Sequence, residues 1–444
     1  MSITKNNKKV IRSWAYFDWA NSAYNLVITS TIFPAYYSII TTTAEHGDKV
    51  SFFGMSFVNT ALSNYALAAA YLIIALMSPV LTSMADHKGN KKVYMKIFTY
   101  LGGFSCCCLY FFKLDTLELG VICFALAAIG YAGGFVFYNS YLPEIATADQ
   151  QDAVSAKGFT YGYIGSVILQ LICFVFVLKP EWFGITDASF PPRLSFLLVG
   201  IWWMAFAQIP FKVLPKGSPN FNAAEQRKIS SGFRELQKVW QQIKEMTLMK
   251  RFLFAFFCYS MGVQTVMLVA ASFGEKILHL STSSLIAVIL IIQLVAIAGA
   301  QVMSRFSKYY GNVNVLIFVV LLWIMMCICA YFVNSATQFY MLAAVVGLVM
   351  GGIQSLSRST YSKYIPEKTA DTASFFSFYD VTEKLAIVAG LASFAYIEEL
   401  TGSMRNSTIA LTSFFVSGLL LLLLLKKAES KSVALPTPHH HKII

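Results

Sequence analysis

Residues 15–33 read AYFDWANSAYNLVITSTIF, and the fold turns on how that stretch is read. It has the length and apolar weight of a segment that crosses a bilayer, which takes roughly 20 mostly apolar residues in a helix. Yet it carries Asp18, Asn21, Ser22 and Asn25. With about 3.6 residues per turn, Asp18, Asn21, Ser22, Asn25 and Thr29 fall on one side of the helix. So polar a face does not rest on acyl chains; it turns toward a shared protein-lined or aqueous interior.

The rest of the chain supports a membrane setting. Of 444 residues, 57% are hydrophobic and 13% charged, about half the charge of an ordinary soluble domain. The reading is an all-α polytopic membrane protein, because only helices or closed barrels satisfy their own backbone in lipid. Twelve spans are expected, over 13–41, 57–84, 93–112, 117–141, 158–178, 194–214, 251–274, 282–304, 313–333, 337–361, 374–397 and 407–425. The first is too long and too polar within for a cleaved signal, so it is expected to stay in the mature protein.

The net charge of +12 raises nucleic acid as a partner, but the basic residues sit in alternate loops rather than on one soluble face. Lys5, Lys8, Lys9 and Arg12 precede the first span, and Lys88, Lys91 and Lys92 follow the second. Arg227, Lys228, Arg234, Lys238 and Lys244 lie after the sixth, and Lys426 and Lys427 after the last. The positive-inside rule accounts for them and puts both termini in the cytoplasm, with no nucleic-acid partner. All eight cysteines fall inside expected spans, where packing is their reading, and no metal or cofactor motif is present. An enzyme would need a nucleophile set or metal ligands, and neither G-x-S-x-G nor H-E-x-x-H occurs. His439 to His441 sit in a polar tail.

A repeat runs at half the chain length. Gly89-Asn90 in DHKGNKK and Gly311-Asn312 in KYYGNVN lie 222 residues apart, and Pro143-Glu144 and Pro366-Glu367 lie 223 apart. AYFDWANSAYN also aligns with AFFCYSMGVQT at Ala255. Two six-helix bundles of the same orientation follow, related by a pseudo-two-fold axis along the membrane normal, as in the major facilitator fold. The expected units are residues 1–214, a linker at 215–250, a second bundle at 251–428 and a tail at 429–444. Within the linker, Leu236, Val239, Trp240 and Ile243 recur at helical spacing among basic residues, as in an amphipathic helix on the cytoplasmic surface. Gly130 and Gly134, and Gly347 and Gly351, form small-xxx-small pairs suited to close helix packing.

Other spans carry polar stripes too: Gln354, Ser357, Arg358 and Tyr361 in the tenth, Asn59, Thr60 and Ser63 in the second, and Tyr259, Gln264 and Thr265 in the seventh. Converging stripes define a cavity. Lys384 lies about 15 Å deep in the eleventh span, with Asp380 four residues before it and Glu383 adjacent. A fixed Asp380–Lys384 bridge and a substrate-binding role both fit. Asp18 likewise fits either a proton site or a structural partner for Arg358. Among the aromatic residues, Trp14, Trp19, Tyr138 and Tyr379 are pocket candidates beside their packing role.

At these residues a resemblance emerges. WAYFDWANSAYNLVITSTIFPAYY, GVQTV and GGIQSLSRSTYSKYIPE with FFSFYDVTEK resemble the vacuolar amino-acid effluxer-like family of the major facilitator superfamily and its bacterial relatives. ADHKGNKK is similar to the superfamily's loop between spans two and three: Asp86, Gly89, Lys91 and Lys92 fit its pattern, while Thr82, His87 and Asn90 depart from it. Asp86 there suits a gate latch, binding the N-terminus of a neighbouring helix or a basic partner in one conformer and releasing it in the other. The resemblance implies alternating access, a small-molecule substrate, export of amino acids or related metabolites, and a multi-pass protein of the bacterial cytoplasmic membrane acting as a monomer. Proton coupling stays open. So do a permease for a sugar, peptide or muropeptide, a channel, and a non-transporting sensor. Ser260 and Met261 replace an Asn-Asp pair of the relatives, and Glu383 replaces a Gly, which points to a retuned site.

Overall fold

The computed structural model describes residues 4–42, 47–215, 230–367 and 369–434. Expectations for Arg227, Lys228 and His439 to His441 lie outside those residues, as do the side chains of Arg234 and Leu236. Helix α1 (Lys8–Ala23), a π-helical segment (Tyr24–Ile32) and α2 (Phe33–Thr41) form one continuous rod. There follow α3 (Asn59–Lys88), α4 (Lys91–Cys108), α5 (Leu117–Asn139), the single turn α6 (Leu142–Ile145), α7 (Gln151–Leu178) and α8 (Phe190–Val213). After the linker helix α9 (Ser230–Glu245) come α10 (Thr247–Leu278), α11 (Thr282–Tyr310), α12 (Asn312–Phe332), α13 (Ala336–Tyr364), α14 (Thr372–Thr401) and α15 (Met404–Ala434).

Nine helices among the described residues are long and apolar enough to cross a bilayer. The first rod, α4 and α14 fall outside that set, and they are the ones weighted with polar side chains: Asp18 and Asn21, three lysines, and Asp380, Glu383 and Lys384. Most helices overrun the apolar stretches that mark them, because caps rather than hydrophobicity set their ends. Asn7 caps α1 by accepting from the amides of Lys9 and Val10, Ser335 caps α13 by accepting from Gln338, and Gly89, at φ +60°, closes α3 in the left-handed region.

One element departs from the all-α expectation. Strands β1 (Lys49–Phe52) and β2 (Met55–Val58) pair as a short antiparallel hairpin between the first rod and α3. Phe53 and Gly54, both at positive φ, make its two-residue turn.

Two hydrophobic cores divide the chain. The first packs residues of α1 to α8 around Trp14 and Trp203, and the second packs α9 to α15 around Trp323. Across the division α3 meets α14 and α7 meets α11, while α7 meets α13 and α5 meets α14. Exchanging the halves turns each member of these pairs of contacts into the other, which is the pseudo-two-fold relation of the major facilitator fold. Close approach uses glycine unequally. A Cβ on Gly130 would lie 2.5 Å from the Gly102 backbone, and one on Gly351 would lie 2.2 Å from the Ala296 carbonyl, whereas Gly134 has ordinary room.

Helix α9 is docked on protein along one face. It packs against α3, α10 and α14, burying Val239 and Ile243, and Trp240 stacks on Phe378 at 5.5 Å. The cysteines correct a second expectation: Cys106, Cys123, Cys173 and Cys327 are buried, but Cys108 and Cys329 are exposed on the outer helix surfaces.

Candidate functional site

A cavity of about 200 Å³ opens between the two halves. Ser22 and Asn25 reach it from the first rod, Gln264 from α10, Gln354 and Arg358 from α13, and Tyr379, Glu383 and Lys384 from α14. The π-helical segment decides which residues of the first rod face it. Across the wider turn there, the lining runs through Ser22, Asn25, Leu26 and Ser30, and Thr29 falls outside it. The hydroxyls of Ser30 and Thr31 donate to the carbonyls of Asn25 and Leu26, each five residues back.

Asp18 and Arg358 close the cavity toward the end that carries the linker helix. Both are about 1% exposed; Asp18 Oδ2 lies 3.4 Å from the guanidinium and accepts the Tyr138 hydroxyl at 2.6 Å. Arg358 also donates to Ser155 Oγ at 2.9 Å, to the Ser155 carbonyl at 2.7 Å and to Asn139 Oδ1 at 3.2 Å, and it lies 4.2 Å from the Phe159 ring centroid. An arginine of the second half is thus held entirely by α1, α5 and α7 of the first. Such saturation lets a buried charge pair persist. Asn21, one turn on, is fully buried, and its amide has no protein partner.

Nearer the linker end, a further layer joins the halves. Asp86 accepts from the amides of Ala373 at 3.3 Å and Ser374 at 2.7 Å, and from the Ser374 hydroxyl at 2.8 Å. Its charge therefore sits on the positive end of α14. Lys91 is ion-paired with Glu144, reaches Thr372 at 3.3 Å and lies over the Tyr141 ring. Gly89 provides the turn, and Lys92 donates to the Leu214 carbonyl within its own half. At the symmetry-related contact Asp152 accepts from Ser307, Asn312 and Lys363 at 2.7–2.9 Å.

On α14, Lys384 Nζ lies 3.2 Å from Asp380 and 3.3 Å from Glu383, with the Tyr71 ring centroid 5.6 Å away. Glu383 also accepts from Gln264 at 3.1 Å, and the Tyr163 hydroxyl donates to Gln354 at 2.7 Å. Asp380 and Tyr138 stand behind the lining rather than in it.

Asn59 does not join the site. It begins α3 at the far end, where its amide donates to Thr41 and Thr42 and ties the first rod to α3 across the hairpin. A polar residue at a helix start serves the local turn. The sequence reading also passed over Asn139, Tyr71, Tyr131, Tyr163 and Gln293, all lining residues. It missed Gly158, Gly162 and Gly165 of α7 as well, a ridge at helical spacing. Added Cβ atoms there would meet Asp18, Ser22 and Trp19 at 2.6–2.7 Å. The spacing in AKGFTYGYIGS was the available signal.

Two pseudo-symmetric helical bundles around a polar interfacial cavity define a major facilitator superfamily transporter. The chain belongs to the family described as "Vacuole effluxer Atg22 like", whose model matches residues 6–434. It is 30% identical over 431 residues to the uncharacterized MFS-type transporter YxiO of Bacillus subtilis, covering 97% of this chain and 98% of that one. It is 25% identical over 423 residues to autophagy-related protein 22-1 of Phaeosphaeria nodorum, covering 80% and 74%. Among solved structures, the transporter FucP in the outward conformation superposes with a TM-score of 0.69 at 12% identity, covering 94% of this chain and 98% of that one. The human organic anion transporter MFSD10 gives 0.68 at 12% identity, covering 93% and 98%.

Proposed function

We propose that the chain is a secondary transporter that moves a small solute by alternating access, its two bundles rocking about the cavity between them. One observation carries this reading. The inter-bundle bonds of Asp86, Lys91, Asp152, Arg358 and Gln354 all lie in the linker-end half of their helices, so the path is sealed on one side of the cavity. Discrete bonds of this kind break and re-form in a two-state rearrangement.

In this reading the first rod, α4 and α14 complete twelve crossings. The lysine- and arginine-rich linker end is cytoplasmic, together with both termini. The structure then corresponds to an outward-facing state, with Asp86, Gly89, Lys91 and Lys92 forming the inner gate. The family description, an effluxer, favours export, and the direction and cargo in this reading are export of an amino acid or related metabolite across the cytoplasmic membrane. One copy contains a complete cavity, so a monomer suffices. Proton coupling resides on Asp18, because protonation removes its attraction for Arg358 and loosens the inner seal.

The test is flux. Purified protein in liposomes is expected to take up solute saturably, and faster when the same solute is loaded inside. Uptake without exchange would mark a channel, and binding without flux a sensor; either result refutes the transporter reading.

A further inference from the structure

The charges and acceptors around the cavity do not balance. Two cations are present, and both are already engaged: Arg358 by Asp18, Asn139 and Ser155, and Lys384 by Asp380 and Glu383. Three carboxylates stand against them, which leaves one negative charge in excess. Glu383 keeps 22% side-chain exposure, so lone pairs beyond those used by Gln264 and Lys384 face the opening. Two further acceptors are buried without a protein partner: Gln293 Oε1 in the lining and Asp380 Oδ2 behind it. Much of the remaining wall is aromatic, including Tyr131, Phe159 and Tyr259. Ring faces attract cations, most strongly where water is excluded.

We infer that the solute taken by this cavity is a cation, a small molecule with at least one protonated amine in excess of its carboxylates, and that Glu383 selects it. This rests on the transporter reading above. A zwitterion would bring a carboxylate for which no free cation is available, and an anion would add repulsion from Glu383; discrimination comes as much from that penalty as from the attraction. An ammonium group instead satisfies Glu383 and restores neutrality.

The experiment uses the full chain in liposomes with four probes: putrescine, L-lysine, L-leucine and L-glutamate. Counterflow is read for each, together with the melting shift of the detergent-solubilised protein. Putrescine or L-lysine is expected to exchange at least tenfold more effectively than L-leucine, with L-glutamate inert. Glu383→Gln is expected to weaken the cation's apparent affinity about tenfold while L-leucine is little affected, in keeping with the loss of one charged hydrogen bond. Should Glu383→Gln fail to fold, Gln293→Leu removes the unpartnered acceptor of the lining and is expected to weaken the same affinity. Preference for L-leucine or L-glutamate in the unaltered protein overturns the inference and leaves the transporter reading standing, as does cation affinity unchanged in Glu383→Gln. Absence of exchange with all four counts against both.

Discussion

The carboxylate of Asp18 on α1 and the guanidinium of Arg358 on α13 lie 3.4 Å apart across the boundary between the two halves, 340 positions apart in sequence. Removing one member of a buried pair strands the other, at a cost of about 3–5 kcal/mol. Asp18→Asn is therefore expected to lower the melting temperature and to flatten the pH dependence of solute exchange while exchange itself persists. A pH profile identical to that of the unaltered protein would remove Asp18 from any coupling role.

Gly158 tests the same pair without touching a charge. Its Cβ would stand 2.7 Å from both Asp18 Oδ2 and the Tyr138 hydroxyl, and 2.8 Å from Arg358. Gly158→Ala is expected to cost about 1–3 kcal/mol of stability by overpacking and to slow exchange several-fold. Wild-type melting and exchange in this variant would mean that the ridge of α7 yields freely.

For Lys384, two substitutions separate holding the helix from handling solute. Lys384→Ala leaves Asp380 and Glu383 side by side without a cation, and about 3–5 kcal/mol of destabilisation is expected. Lys384→Met combined with Asp380→Asn is expected to recover folded protein, scored by size-exclusion profile, yet to stay below a tenth of wild-type transport. Full transport in the double variant would reduce Lys384 to a structural tie.

Asp86→Asn weakens the acceptor that holds the N-terminus of α14, worth about 1–3 kcal/mol for hydrogen bonds to a charged group. The expected outcome is a shift away from the state closed at the linker end, read as faster thiol labelling of Ala373→Cys, with solute affinity within about twofold. Changed affinity with unchanged labelling would argue against a latch.

The helices were legible because lipid demands long apolar runs, and the pairing of the halves because the loop motifs recur at a fixed offset. What a helical wheel lacks is depth and register. Asn59 looks like part of a polar stripe, yet it sits at a helix start, where its amide serves the turn. Thr29 continues the stripe of the first span on paper, but the π-helical segment passes its place to Ser30. The wall itself is drawn from eight separate helical elements, and single-sequence periodicity does not reveal which faces of distant helices meet. Tyr71, Tyr131 and Gln293 were thus invisible, as was the glycine ridge of α7, whose function appears only once Asp18 and Ser22 are placed against it.

The wide turns at Tyr24–Ile32 also give the first rod a tolerance its neighbours lack. A π-helical stretch is the scar of one surplus residue, so trimming one position within 25–31 is expected to convert it to ordinary α-helix while the parts of the rod above and below keep their facing. A shortened protein of that kind would keep both its inner seal and the upper face of the rod, which makes this segment the natural place to change the length of the first helix without disturbing what it presents.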